Sequence, residues 1–277
     1  MPELPEVETV RRGLSAVEGR EVMSAWVGRD RVVRRTSSSA LIAGVEGRRI
    51  ERVSRRGKYL LLDLGGEHRL MVHLRMSGQV FIVDADVPLV RHTHVRLGLD
   101  DGREVRFVDP RTFGEVVPYT LSDASAIIPE LDRLGPDPLV DGVTVDDLIT
   151  AFRGRRRRLK DSLLDQRVIA GIGNIYGDEI CHRARLSPMR AVGSIPRSRL
   201  VDVAHSITTV LAAAVAAGGS TLGDAQYVSV DGEAGSFQHQ HRVYGRAGQR
   251  CVTCDRGIIR RTIVAQRSTH HCPVCQR

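Results

Sequence analysis

Met1-Pro-Glu-Leu-Pro-Glu-Val-Glu-Thr-Val10 opens the chain. As local structure it predicts a short amphipathic helix. Pro5 suits a first helical turn, where a missing N–H costs nothing. Glu3, Glu6 and Glu8 favour the positive end of the helix, and Leu4, Val7, Val10 and Leu14 fall on one face. As chemistry, the stretch puts a small residue, Pro2, behind Met1, an order that normally permits removal of the initiator methionine. The exposed group is then a secondary amine with an ordinary pKa of about 8. Its adduct with a carbonyl-level carbon is an iminium, positively charged without an added proton, and thus an electron sink for eliminations at neighbouring carbons. Many proteins begin Met-Pro with no chemistry attached, so these two residues alone decide nothing.

Beyond that helix, residues 21–120 read as strand after strand. Residues 59–64 form a β-rich run closed by Gly65-Gly66. The run 94–99 alternates Val95, Leu97 and Leu99 with other side chains, turns at Asp101-Gly102 and returns through Val105 and Phe107, as a half-buried hairpin does. Strands spaced by turns in this way predict a β-sandwich. Gly135, Pro136 and Pro138 mark a linker. Helical character follows over 144–152, 159–164, 174–185 and an Ala-rich 200–217 that Gly218-Gly219 ends. Residues 223–248 hold five glycines and few apolar side chains, predicting a mobile loop. The expected class is α+β: an N-terminal β-sandwich with flanking helices over 1–134, a helical domain over 135–222, the loop over 223–248, and a small unit over 249–277.

Cys251-Val-Thr-Cys254 and Cys272-Pro-Val-Cys275 are two C-x-x-C pairs separated by 17 residues. Thiolates at this spacing sit on two tight knuckles and close a tetrahedron around zinc. So short a unit buries little apolar area, and the metal has to supply most of its stability. Two pairs with no strand–helix context argue against a redox dithiol. His270 and His271 could substitute as ligands, but four cysteines complete the set. Between the knuckles, residues 257–264 and 268–271 are expected to pair as a hairpin with Gln266-Arg267 near its tip. A zinc ribbon on a basic chain favours nucleic acid, while many zinc ribbons bind protein, and on this ground both readings stay open.

Lys and Arg number 41 against 33 Asp and Glu, a net charge of +8. That balance favours a polyanionic partner, because each neutralised phosphate releases condensed counterions, although excess charge also serves solubility. Placement favours the partner: Arg153, Arg155, Arg156, Arg157, Arg158 and Lys160 crowd together, and more arginines fill the last 35 residues. No run is read as approaching the ~18–20 apolar residues of a membrane span. The acidic, proline-bearing start lacks the order of a secretory signal, so the expected compartment is the cytoplasm, where thiols stay reduced.

The opening stretch resembles, almost letter for letter, the start of the bacterial formamidopyrimidine-DNA glycosylases. The likeness continues at Arg56-Gly-Lys-Tyr-Leu60, His73-Leu-Arg-Met-Ser-Gly78, Asp109-Pro-Arg-Thr-Phe-Gly114, Gly171-Ile-Gly-Asn-Ile-Tyr176, Val243-Tyr-Gly-Arg246 and the four-cysteine finger with Ala265-Gln-Arg267. It spans the whole chain, in order. The resemblance implies a monomeric, nucleoid-associated enzyme of base excision repair acting on double-stranded DNA. Such an enzyme removes 8-oxoguanine and formamidopyrimidines through a Schiff base on Pro2, then nicks the strand by β,δ-elimination. It also implies a helix–two-turns–helix element near 144–185, a lesion-capping role for the loop, and one structural Zn²⁺ on Cys251, Cys254, Cys272 and Cys275.

Carried over residue by residue, the resemblance makes Pro2 the nucleophile and Glu3 the general acid/base that protonates the sugar ring oxygen. Glu6 orders the site, and Lys58 approaches the lesion and its phosphates. Met76, Arg111 and Phe113 match the trio that fills the hole left by an everted base. Lys160, Asn174 and Arg267 match a phosphate clamp, and His94 lies near a segment that contacts the DNA backbone. Read without the family, Lys58 is a surface lysine at a strand start, Met76 and Phe113 are core, Asn174 is an N-cap, and His94 is a strand-end histidine. Arg75 and Thr112 depart from the family's common residues in the wedge region. Within the family, the endonuclease VIII branch is the rival, and Leu4 argues against it because that branch usually has glycine there. A catalytically silent, zinc-stabilised DNA-binding protein is the rival from another class; it would not need Pro2, Glu3 and Lys58.

Overall fold

The chain enters its first helix, α1 (Leu4–Leu14), through a reciprocal cap, in which the Glu3 carboxylate accepts from the Glu6 backbone and Glu6 returns a carboxylate to the Glu3 N–H. Two N–H groups with no partner inside the helix are thereby satisfied. The expected stripe of Leu4, Val7, Val10 and Leu14 is buried. The structure, a computed structural model, describes residues 1–223 and 227–277. They divide into two compact units: Met1–Asp132 with Ala217–Ser236, and Arg133–Ala216 with Phe237–Arg277.

In the first unit, nine strands form two antiparallel sheets. They are β1 (Glu21–Val27), β2 (Arg48–Arg49), β3 (Arg52–Arg56), β4 (Tyr59–Asp63), β5 (His68–His73), β6 (Gln79–Asp84), β7 (Thr93–Leu99), β8 (Arg103–Val108) and β9 (Glu115–Thr120). One sheet runs β2-β1-β7-β8-β6 and the other β3-β4-β5-β9. Alternate residues of both sheets, among them Leu60, Leu62, Leu70, Val72, Val95, Leu97, Val105 and Phe107, meet in one core, the packing of a sandwich. The β7–β8 hairpin is the expected one. A helix, α2 (Ser38–Val45), interrupts the run of strands; the Ser37 hydroxyl caps it by accepting from the Ala40 N–H at 3.1 Å. A short helix, α3 (Ala124–Ile127), follows β9.

Part of the segment expected as a mobile loop packs on the sandwich. Tyr227 and Val230 join the sandwich core, the Val230 carbonyl accepts from Ile82 N, and the Tyr227 hydroxyl donates to Gly218 O at 2.9 Å. Two apolar side chains suffice to draw the segment onto the sheet, although its composition is mostly polar. Residues 224–226 of the expected lesion-capping loop lie outside the described residues.

The second unit holds α4 (Val145–Phe152), α5 (Leu159–Leu163), α6 (Asn174–Arg183), α7 (Arg197–Ala216) and the hairpin β10 (Arg260–Val264) with β11 (Arg267–His271). Its boundaries differ from those expected, for the cysteine-bearing end clusters with the helices rather than standing alone. The reason is polar as much as apolar, since β11 is bonded to α5 and α6 side chains described below. One sequence expectation is corrected here. By length and composition α7 is apolar enough to cross a membrane, because alanine, valine and leucine fill its last turns. Half of that stretch is buried, with α7 packed on α4 and α6 as a core helix is.

Candidate active site and metal centre

Capping brings the first residues together. Pro2 is buried, and Glu3 and Glu6 are each 2% exposed. Glu6 works twice: one oxygen accepts from Glu3 N at 2.8 Å and the other from Ser220 N at 2.7 Å. The carboxylate expected to order the site thus joins the start of α1 to the chain beyond Gly219. Lys58 sits in the turn between β3 and β4 and is only 7% exposed, not the surface lysine a strand start suggests. Arg55 steers that turn. Its guanidinium donates to Gly57 O at 2.8 Å and to Glu8 Oε2 at 3.1 Å, tying the turn to the same helix that carries Glu3. Burial works to raise the Glu8 carboxyl, but Arg11, Arg12 and Arg55 outweigh it and hold it below the usual range. Arg55, Glu8 and Ser220 were missed at the sequence level. Glu8 reads there as a helix-end charge, and nothing local pairs it with Arg55.

The wedge candidates lie on connections between strands of the first unit. Met76 is 37% exposed, too open for the core packing that was its alternative. Arg111 is exposed, and its guanidinium lies 4.8 Å from the centre of the Phe113 ring, close enough for a cation–π contact. His94 is buried, with Nε2 2.9 Å from Asp109 O, so that edge of its ring faces the protein backbone.

In the second unit, Asn174 is the first residue of α6 rather than its cap, which is Gly173. Asn174 Oδ1 is closed to solvent with no hydrogen-bond partner among the described residues, while Nδ2 donates to Ser268 Oγ at 3.4 Å. Arg267 is exposed at the start of β11, beside a two-residue turn in which Ala265 and Gln266 both have positive φ, 45° and 61°. Lys160 requires a correction. It is 1% exposed, and Nζ faces Asp178 Oδ1 at 2.7 Å, Ser268 O at 2.8 Å and Thr269 Oγ1 at 3.0 Å. An ammonium has three N–H donors, so this one holds the hairpin instead of pointing outward. Ser268 connects the three clamp candidates: it follows Arg267, meets Asn174 through its hydroxyl and Lys160 through its carbonyl.

The four cysteine sulfurs all lie within 4.8 Å of one another. Cys251 Sγ is 3.8 Å from Cys275 Sγ, and Cys254 Sγ is 3.6 Å from Cys272 Sγ. A tetrahedron with metal–sulfur bonds of about 2.3 Å has edges of about 3.8 Å, so the donor set fits a thiophilic divalent ion. Backbone N–H groups of Arg256 and Gly257 lower the Cys254 thiol to about 6, whereas burial pushes Cys272 and Cys275 up. A bound cation supplies the charge that lets all four ionise. The fifth cysteine, Cys181, is a core thiol as expected, and burial pushes it up.

Residues 1–116 match the formamidopyrimidine-DNA glycosylase N-terminal domain and residues 134–226 its H2TH domain. The formamidopyrimidine-DNA glycosylase of Herpetosiphon aurantiacus is 43% identical and that of Laribacter hongkongensis 44% identical, each over the full length of both chains. Among solved structures, Lactococcus lactis Fpg in complex with abasic-site DNA is 32% identical, with a TM-score of 0.90 and 99% of each chain covered. Wild-type Lactococcus lactis Fpg with DNA containing N7-benzyl-Fapy-dG gives 32% identity and a TM-score of 0.90 over all of both chains. The chain described here belongs to the formamidopyrimidine-DNA glycosylase family.

Proposed function

We propose that this protein is a bifunctional DNA glycosylase and abasic-site lyase of base excision repair, acting on oxidised purines in double-stranded DNA. Once Met1 is removed, the Pro2 nitrogen attacks C1′ of the damaged nucleotide. The bond to the base breaks, and Glu3 protonates the sugar ring oxygen as the ring opens. The resulting iminium draws electrons away from the sugar, so that loss of a proton from C2′ expels the phosphate at C3′, and a second elimination expels the one at C5′. Glu3 also assists these proton transfers. Glu6 fixes the α1 terminus, and Lys58 approaches the lesion phosphates. Met76, Arg111 and Phe113 fill the gap left in the duplex; the arginine satisfies the orphaned base, preferably cytosine. Asn174 at the start of α6 and Arg267 on the hairpin take backbone phosphates, with Lys160 holding the hairpin. The metal is zinc, bound for structure, and the enzyme works as a monomer with the nucleoid in the bacterial cytoplasm.

The observation that carries this reading is the burial of Pro2 and Glu3 together at the capped start of α1, with the Lys58 turn tied to that helix through Arg55 and Glu8. Borohydride reduction on a duplex with 8-oxoguanine opposite cytosine tests it. The mature wild type should give a covalent protein–DNA adduct; Pro2→Gly and Glu3→Gln should give none. Full excision by Pro2→Gly, or by protein retaining Met1, would refute the chemistry. Faster excision from a thymine-glycol duplex would move the substrate to oxidised pyrimidines.

A further inference from the structure

Two connections cross between the sheets of the first unit side by side. Residues 74–78 lead from β5 to β6, and residues 109–114 from β8 to β9. Their ends are paired at both sides, His73 with Glu115 in one sheet and Gln79 with Val108 in the other. The first connection carries Met76, the second Arg111 and Phe113.

Each connection also shares the same floor. A side chain at Gly78 would come within 3.0 Å of the Phe107 ring and 2.6 Å of Leu74 O, and one at Gly114 within 2.4 Å of the same ring. Phe107 is part of the sandwich core, so both connections lie on a fixed support.

The residues on either side of Met76 bond the first residue of the other connection and the residue that follows its end. Ser77 Oγ donates to Asp109 Oδ1, and Arg75 donates to Glu115 Oε1 at 2.7 Å. Asp109 has no exposed surface. Its carboxylate also accepts from Arg111 N at 3.1 Å and Gly114 N at 2.7 Å, which folds its own connection into a tight loop. Glu115 is held from behind by Arg35 at 2.7 Å, and Arg34 donates to Phe113 O at 2.6 Å. Arg75 and Thr112, the two departures from the family's common residues, have φ of 52° and 54°. L-residues seldom adopt this left-handed region unless their surroundings hold them there.

We propose that Asp109 is a positioning residue for base extrusion: through Ser77 it locks the Met76 turn to the Arg111–Phe113 loop, so that the three side chains enter the duplex as one preorganised wedge. This deepens the repair reading above and rests on it. A side chain that replaces a stacked base must hold its place against the neighbouring base pairs. Ordering two independent loops at that moment would cost conformational freedom that a prefolded pair has already given up. Arg75 with Glu115 closes the same clamp from its other side.

Stopped-flow fluorescence of 2-aminopurine beside an 8-oxoguanine tests the proposal, with cleavage of an abasic duplex as the second readout. An abasic site has no base to unstack. Ser77→Ala, which removes a single hydroxyl, and Asp109→Asn should each slow extrusion about tenfold, a misplacement effect, and leave abasic cleavage within twofold. Phe113→Ala is the control. If it too leaves extrusion unchanged, the wedge reading itself falls. If it slows extrusion while Ser77→Ala does not, only the clamp falls. Equal slowing of both readouts by Ser77→Ala would also overturn the clamp, since the effect would not pass through the wedge.

Discussion

Lys160 Nζ lies 2.7 Å from Asp178 Oδ1 with both side chains shut away from solvent, and Asp178 Oδ2 accepts from His270 N at 2.8 Å. One buried ion pair therefore fastens α5 and α6 to β11. Taking away one partner strands a charge, which costs about 3–5 kcal/mol. Lys160→Met should show a loss of that size in denaturant unfolding. Lys160→Met with Asp178→Asn should lose much less, because asparagine can still accept from His270 N without carrying charge. Equal losses from the single and double variants would mean that the charge is not what the fold depends on.

Arg267 is exposed beside the turn of the hairpin, free of the packing that buries Lys160. Arg267→Ala should weaken binding to every duplex by a similar factor and flatten the salt dependence by about one phosphate. The check is a series of binding titrations against salt, with lesion and undamaged DNA alike. An unchanged slope would remove Arg267 from the phosphate contacts.

The four cysteines hold a unit whose own buried cluster is small: Val243, Ile259 and two of the sulfurs themselves. Serine at Cys251, Cys254, Cys272 and Cys275 should release the metal, disorder the hairpin and abolish duplex binding. The first unit has its own core and should stay folded. Its reporter is Trp26, the single tryptophan of the chain, on β1. Metal content, duplex binding and the Trp26 unfolding curve together check this; a lost Trp26 transition would mean that the first unit depends on the metal.

What the sequence disclosed follows the range of the interactions involved. The α1 stripe, the β7–β8 hairpin, the cysteine knuckles and the limits of α4 and α6 are set by neighbours within a few residues, so they were legible. The Ser37 cap of α2 was equally local and was overlooked amid strands. Long-range polar bonds were not legible. Arg55 reaches Glu8 across 47 positions and Lys160 reaches Ser268 across 108, and nothing in either segment names its partner. Lys160 shows the consequence, for a motif placed it near phosphate while its buried surroundings give it protein acceptors. The burial of Tyr227 and Val230 was missed because two apolar residues among glycines do not make a periodic pattern.

His73 supplies the pH dependence. Burial first, then the nearby Arg75, Lys58 and Arg35 charges, hold its imidazole well below the ordinary 6.5, and its Nδ1 accepts from Arg75 N at 2.9 Å, which an added proton would forbid. Below pH 6.5 the unfolded chain takes up a proton that the fold refuses, so unfolding becomes easier as pH falls toward the depressed folded value. The stabilising share is thus complete above about 6.5 and shrinks by up to about 1.4 kcal/mol per pH unit below it. His73→Asn keeps an acceptor at the same place and cannot titrate. Urea unfolding followed through Trp26 at pH 7.5 and 5.5 should show a stability loss on acidification about 1 kcal/mol smaller in this variant than in the wild type. His182 and His241, both lowered to about 4 by burial, belong to the other unit and should leave that signal alone. Identical pH dependence in the two proteins would place the proton elsewhere and separate the Met76 turn from His73.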